Sequence, residues 1–186
     1  METRECIKTR RSIRRFTDQD VPDELLTEIL EAARWAPSWA NTQCWEIIVV
    51  RDSETKQKLA ELCGTNNPAT KGVAAAPVVL VLCGRKGVSG YKQGKLESVK
   101  GDWCMFDLGI AAQNICLAAH DLGLGTVHVG LIDNEGIDKL FDLPPGVESY
   151  ELIPIGYPAK EGKAPPRKEL SEFVHWEKFG NKQKPN

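Results

Sequence analysis

The residues best equipped for chemistry cluster early in the chain. Arg10-Arg11-Ser12-Ile13-Arg14-Arg15-Phe16 sets four guanidiniums and a hydroxyl in six residues, directly after a short helical pattern from Glu5 to Thr9. A guanidinium is a rigid fork of donors that matches phosphate oxygens. Ser12 adds a short donor that can sit close to an anion. Each such charge-assisted bond contributes roughly 1.5–3 kcal/mol when shielded from water. The chain as a whole carries 24 Lys and Arg against 26 Asp and Glu. That near-neutrality suits one discrete phosphate better than a general anion-binding surface. A solvated basic turn is the alternative, since charge runs usually face water. A second polar cluster is Pro37-Ser38-Trp39-Ala40-Asn41-Thr42-Gln43, a loop by composition. The side-chain amides of Asn41 and Gln43 each donate and accept, which suits the edge of a flat heterocycle bearing alternating carbonyls and ring nitrogens. Ordinary turn-forming polar residues would look the same.

Other chemistries find little support. Gly123-x-Gly125 is a lone glycine pair that follows a helix and lacks the G-x-G-x-x-G spacing of a dinucleotide fold. The histidines, His120, His128 and His175, are scattered, and no Ser-His-Asp set can be argued from spacing. His128 reads as a satisfied core histidine within a strand. None of the six cysteines forms a C-x-x-C pair, so neither a zinc site nor a thioredoxin motif is indicated. Asp107 is unusual on an otherwise apolar helix: either a hydrogen-bonded core group or a group facing a pocket. The formal net charge of −2 argues against a nucleic-acid coat. No apolar run has the length of a membrane span. The charged N-terminus lacks a secretory h-region, so a reducing cytoplasm is expected.

The elements that must position these clusters are legible in outline. At 186 residues the expectation is one domain spanning 1–186, with an extended C-terminal arm over about 157–186. A short helix over 3–10 leads into the arginines. A second starts at Pro22 and ends at Pro37. The β-branched runs 45–51 and 77–83 read as buried strands. Ser53 is expected to cap a helix through Leu62, and 64–72 to be a polar turn. Residues 84–101 read as a mobile surface loop or lid. A long helix over about 102–122 is apolar almost all round, which suggests burial on more than one side. A third strand is expected over 126–132, a helix capped by Asn134 over 134–141, and a fourth strand over 149–155, with Pro154 at an edge or strand end. Helices and strands are interspersed, so the class is α/β or α+β.

Four segments, in this order and spacing, resemble the nitroreductase family. They are Arg10 to Phe16, Ala36 to Trp45, Leu122 to Gly125 ahead of Gly130, and Ile153 to Lys160 with Pro166-Arg167. The resemblance runs over almost the whole chain. It implies an α+β fold with a central, mostly antiparallel sheet flanked by helices, and a domain-swapped homodimer holding FMN at its interface. It implies NADH or NADPH as electron donor, with hydride passing through the flavin N5 to a small organic acceptor such as a nitroaromatic or quinone in alternating half-reactions. By position, Arg10, Arg11, Ser12 and Arg14 match residues around the FMN phosphate and one ring edge, joined by Arg167. Pro37, Ser38 and Trp39 match the loop that one subunit presents to the other's flavin, and Asn41 and Gln43 match polar residues near the ring and ribityl chain. Val129 and Gly130 match the backbone whose N–H approaches N5, and Ile155 and Gly156 the last strand's contact. Trp103, Phe106 and Tyr91 are candidate pocket walls. Cys44 stands where many members have proline. The chemistry is flavin-borne, and no metal is implied. A flavin-binding or flavin-processing protein without NAD(P)H-driven turnover is the alternative, and an interaction module that has lost the pocket is another.

Overall fold

The computed structural model describes residues 1–184. The last two residues of the expected arm, 185–186, lie outside the described residues. The sheet at the centre is built from the β-branched runs. β1 (Trp45–Val50) pairs antiparallel with β2 (Val78–Arg85), β2 pairs antiparallel with β6 (Val147–Gly156), and β6 pairs antiparallel with the two-residue β5 (Gly125–Thr126). The strand order is β1-β2-β6-β5. Side chains alternate across a strand, and β2 shows why its run is apolar throughout. Val78, Leu80 and Leu82 face one core with Ile29, Leu108, Ile115, Ile153 and Ile155. Val79, Val81 and Cys83 face another with Leu59, Val73, Ile137 and Leu152. Both faces are covered, so neither can be polar.

Helices α2 (Asp23–Arg34) and α5 (Cys104–Asp121) belong with the first core, and α1 (Thr3–Thr9) packs on α5. Helices α3 (Ser53–Glu61), α4 (Thr70–Ala75) and α6 (Asn134–Leu140) cover the second. In α5 the residues Leu108, Ala111, Ala112, Ile115, Cys116 and Ala119 are buried, whereas Met105 and Phe106 are 68% and 59% exposed. One side of α5 is therefore bare in the single chain.

Several expectations need correction. The stretch read as a polar turn runs into α4, which starts at Thr70 and is too short to show periodicity. It is anchored by the buried Lys56, whose ammonium donates to the Ala76 carbonyl at 2.8 Å, just past the helix end. Asp52 rather than Ser53 caps α3, accepting the Thr55 N–H at 2.7 Å. Asp133 rather than Asn134 caps α6, accepting from Gly136. The expected strand over 126–132 is mostly absent: after Thr126 the chain keeps only isolated bridges, Val129 to Leu152 and Ile132 to Cys63. Pro154 is interior to the sheet, on β6 and opposite Val79. Leu152 exchanges both backbone bonds with Val129, so Pro154, two residues on, turns its nitrogen to that same side, where β5 has already ended. The 84–101 segment is not free. It contains a small hairpin, β3 (Tyr91–Lys92) with β4 (Lys95–Leu96), and Ser89 within it is fully buried. A short helix, α7 (Leu170–Phe173), interrupts the exposed arm. Among the described residues no helix is long and apolar enough to cross a membrane.

Candidate functional site

The arginine strip is an extended segment laid along the β5–β6 edge. Ser12 bridges Thr126 in parallel, the Ile13 N–H donates to the Thr126 carbonyl at 2.9 Å, and Phe16 bridges Pro158. Two glycines permit this close docking. A Cβ on Gly125 would lie 2.7 Å from Ile13, and one on Gly72 of α4 would lie 2.7 Å from the Arg14 carbonyl. Gly156, buried at the end of β6, abuts Phe16 in the same way. The strip is thus fixed on both sides, and among its side chains Arg10, Ser12 and Arg14 make no described hydrogen bond.

Those side chains are not equivalent. Arg10 is half-buried, and its Nη1 is shielded from water without any acceptor. A buried donor left unpaired costs about 1–3 kcal/mol, more when charged, and an anion would remove that cost. Arg11 spends Nη1 on the Lys8 and Arg10 carbonyls, at 2.6 and 2.8 Å. Ser12 is half-buried and Arg14 exposed. A cavity of about 560 Å³ opens beside Arg10 and Arg11, walled by Ile13, His120, Thr126 and Glu161. Its wall does not include Ser12, Arg14 or Gly130. Arg167 is exposed on the arm and makes no described contact with the strip, although the arm passes close by, at Gly162 against Arg11.

The second cluster stands elsewhere. Ser38 Oγ accepts the Gln43 N–H at 2.9 Å, and the Trp39 N–H donates to both oxygens of Asp107, each at 3.1 Å. Ala40, Asn41 and Gln43 all have positive φ, at 48, 56 and 49°. Left-handed backbone costs an L-residue about 1–2 kcal/mol, and Asn tolerates it better than Ala or Gln. Such strain persists where the surroundings over-determine the conformation, and here they do. Pro37, Asn41 and Gln43 are exposed, and Ser38 and Trp39 are half-buried. A cleft of about 320 Å³ lies between Pro37, Trp39, Trp103 and Phe106, with Asp107 and Ile110 at its base. Two of the expected pocket walls, Trp103 and Phe106, thus belong to this cleft, and their rings meet edge to face at 4.9 Å.

The two clusters sit at opposite ends of α5. Trp39 is tied to Asp107 in its first turn, and Thr9 is hydrogen-bonded to His120 in its last. Thirteen residues at about 1.5 Å each separate those anchors by roughly 20 Å. The single chain therefore does not bring the strip and the loop together. Val129 is buried, in the second core, and Gly130 is exposed. Among the described residues no acceptor takes the Gly130 N–H. Ile155 has its side chain wholly inside the core, so only its backbone can meet a ligand.

His128 is not the core histidine expected from sequence. Its side chain is 37% exposed, and Nδ1 pairs with Glu151 at 2.8 Å. Nε2 lies 3.4 Å from both the Cys116 thiol and Gln113. The bond to Cys116, then the one to Glu151, pushes its pKa up to about 10. Asp107 is a hydrogen-bonded core group that also lines the cleft. Its partner Ser89 gave no sign in the sequence, because it lies in a segment that looks like loose surface. Cys44, at the proline-replacing position, is a buried thiol pushed far up by its hydrogen bond to Cys104 and by burial. It contacts Asp107 at 3.8 Å. Among the described residues no group of three or more His, Cys, Asp or Glu could hold a metal ion.

Comparison with known proteins agrees with this geometry. The model of the nitroreductase family matches residues 7–157. A protein of Methanothermobacter thermautotrophicus, provisionally named NADH dehydrogenase/NAD(P)H nitroreductase, is 40% identical over 96% of this chain and 88% of its own. A Bacillus subtilis FMN reductase [NAD(P)H] is 33% identical over 92% of this chain and 72% of its own. The crystal structure of a nitroreductase family protein from Clostridium difficile superposes with a TM-score of 0.82 at 28% identity, covering 96% of this chain and all of that one. The match spans both clusters and the whole central sheet, and the chain belongs to the nitroreductase family of oxidoreductases.

Proposed function

We propose that the protein is an FMN-dependent reductase that takes electrons from NADH or NADPH and delivers them to a small organic acceptor, working as a homodimer with shared sites. The observation that carries this reading is the split between the two clusters at either end of α5, one with an orphaned guanidinium nitrogen and one a strained polar loop. Two copies packed antiparallel through the bare side of α5 would place the loop of one beside the strip of the other. The exposed Met105 and Phe106 and the shallow cleft along Gly109, Ile110, Gln113 and Asn114 fit such an interface. The exposed arm, with Leu170, Phe173 and Phe179 bare, would then lie over the partner.

The residues present fit FMN. Arg10, Ser12 and Arg14, joined by Arg167, would hold its phosphate and one ring edge, and Arg11 would support them from the backbone side. The Gly130 N–H, next to Val129, would meet the ring near N5, with the backbone of Ile155 and Gly156 alongside. Pro37, Ser38 and Trp39 of the partner would cover the site, and Asn41 and Gln43 would bond ring and ribityl oxygens. When bound, FMN supplies the redox chemistry, accepting hydride from the nicotinamide and passing it to the acceptor in alternating half-reactions. The protein's part is electrostatic and positional: donors aimed at the pyrimidine edge stabilise negative charge there, and apolar walls at Trp103 and Phe106 exclude water from a stacked acceptor. No side chain is required as a nucleophile.

The test is direct. The purified protein is expected to be yellow or to take up FMN, and to bleach anaerobically with NADH or NADPH before reoxidation by a quinone or nitroarene. A colourless protein that takes up no FMN contradicts the reading. Flavin uptake without bleaching by either nicotinamide points instead to flavin binding without turnover.

A further inference from the structure

Asp107 is 1% exposed, yet several donors converge on it. It accepts the Trp39 N–H on both oxygens, the Ser89 hydroxyl on one, and the Cys44 thiol at 3.8 Å. Ser89 is fully buried, and its carbonyl takes the Trp103 N–H at 3.1 Å, which seats the 86–101 segment on the start of α5. Trp39 opens the left-handed turn of the Pro37–Gln43 loop. Among the described hydrogen bonds, none joins that loop directly to 86–101. Asp107 is, among those bonds, the group that both segments reach.

We infer that Asp107 is a positioning residue that couples the two segments, so that the Pro37–Gln43 loop keeps its strained shape only while 86–101 is docked through Ser89. The geometry supports this at both ends. The loop needs an outside anchor because three of its residues occupy left-handed backbone that a free loop would relax. The 86–101 segment is otherwise largely exposed; backbone N–H bonds hold Lys86 to Gly146 and Gly87 to Asp102, and the Ser89 side chain is the one that reaches a buried carboxylate. The cleft walled by Pro37, Trp39, Trp103 and Phe106 lies between them, so undocking one wall would let the other relax. The functional consequence rests on the flavin reading above: a loop held by Asp107 would be pre-shaped for the partner's cofactor, and release of 86–101 would open the site.

The experiment is hydrogen exchange by mass spectrometry on the full-length protein, wild type against Ser89→Ala and Asp107→Asn. Ser89→Ala removes one donor and touches nothing in the loop. It is expected to speed exchange in 86–101 and also, by about three- to tenfold, at Trp39 to Gln43, while β2 amides stay at wild-type rates. Asp107→Asn is expected to speed both segments more. Should Asp107→Asn fail to fold, Ser89→Ala decides alone. Acceleration confined to 86–101 overturns the coupling, and so does equal acceleration in β2, which marks global loosening. FMN titration of the same samples separates the two layers. Coupled exchange in a protein that binds no FMN refutes the flavin reading only. Ser89→Ala that binds FMN as wild type does, with Trp39 to Gln43 still protected, refutes the coupling only. The coupled outcome predicts FMN binding weakened about three- to tenfold in Ser89→Ala.

Discussion

Gly125→Ala offers a sharp test of how the arginine strip is held. An alanine Cβ there would sit 2.7 Å from both Cβ and Cγ1 of Ile13, where ordinary contact begins near 3.4 Å. Ile13 must therefore withdraw by about 3.4 − 2.7 = 0.7 Å. A rotamer change does not relieve this, because one of the clashing atoms is Ile13 Cβ itself, fixed to the backbone. The strip must move, and the Ile13 to Thr126 hydrogen bond at 2.9 Å moves with it. Overpacking of this kind costs roughly 1–3 kcal/mol, and a weakened backbone bond adds up to about 1 kcal/mol. Ser12 and Arg14 flank Ile13 and ride the same displacement. Loss of about 1.4 kcal/mol from their bonds to a phosphate would weaken FMN binding about tenfold. Urea unfolding reads the first effect, and quenching of flavin fluorescence on titration reads the second. A Gly125→Ala protein as stable as wild type, with FMN affinity unchanged, would refute the reasoning.

Further expectations follow from other parts of the chain. Arg10→Ala removes the orphaned guanidinium and should weaken FMN binding about 10- to 100-fold, read by the same titration, with little loss of stability. Lys56→Met keeps the apolar stem but strips the Ala76 carbonyl of its donor, and should cost about 1–3 kcal/mol in urea. Ala40→Gly should stabilise the protein by about 0.5–1 kcal/mol, because relief at φ 48° outweighs the extra freedom of glycine in the unfolded chain. His128 has its pKa raised to about 10 by its bonds to Cys116 and Glu151, so those bonds contribute in full below the ordinary histidine value, about 6.5, and fade as pH climbs towards 10. Over that window wild type should lose about 1 kcal/mol relative to His128→Gln, a small figure because solvent screens the pair.

What the sequence discloses depends on what each residue answers to. The buried strands β1 and β2 are plain because both faces demand apolar side chains. The two polar clusters stand out because nothing local explains them. β5 looks longer in the sequence than it is because Val127 and Val129 are buried like strand residues, although the chain leaves the ladder after Thr126. Helix α4 leaves no mark in the sequence because six residues with a glycine carry little periodicity, and Gly72 lets Arg14 approach. His128 is opaque in the sequence because nothing beside it hints at Glu151 and Cys116, which arrive from β6 and α5. The 86–101 segment has the composition of surface, and only the fold reveals that Ser89 reaches a buried carboxylate. At α3 and α6 the cap is the aspartate immediately before Ser53 or Asn134, and composition alone does not choose between such neighbours.

The central claim is that one chain supplies the anion clamp and another the covering loop. Subunit mixing tests it most directly. A protein carrying Arg10→Ala and Arg14→Ala is unfolded and refolded together with one carrying Asn41→Ala and Gln43→Ala, each of which alone should bind FMN poorly. Random pairing makes about half the dimers mixed, each with one intact site, so about a quarter of all sites should regain tight FMN binding. If the mixture binds no better than its parents, the site lies within a single chain and the account is contradicted.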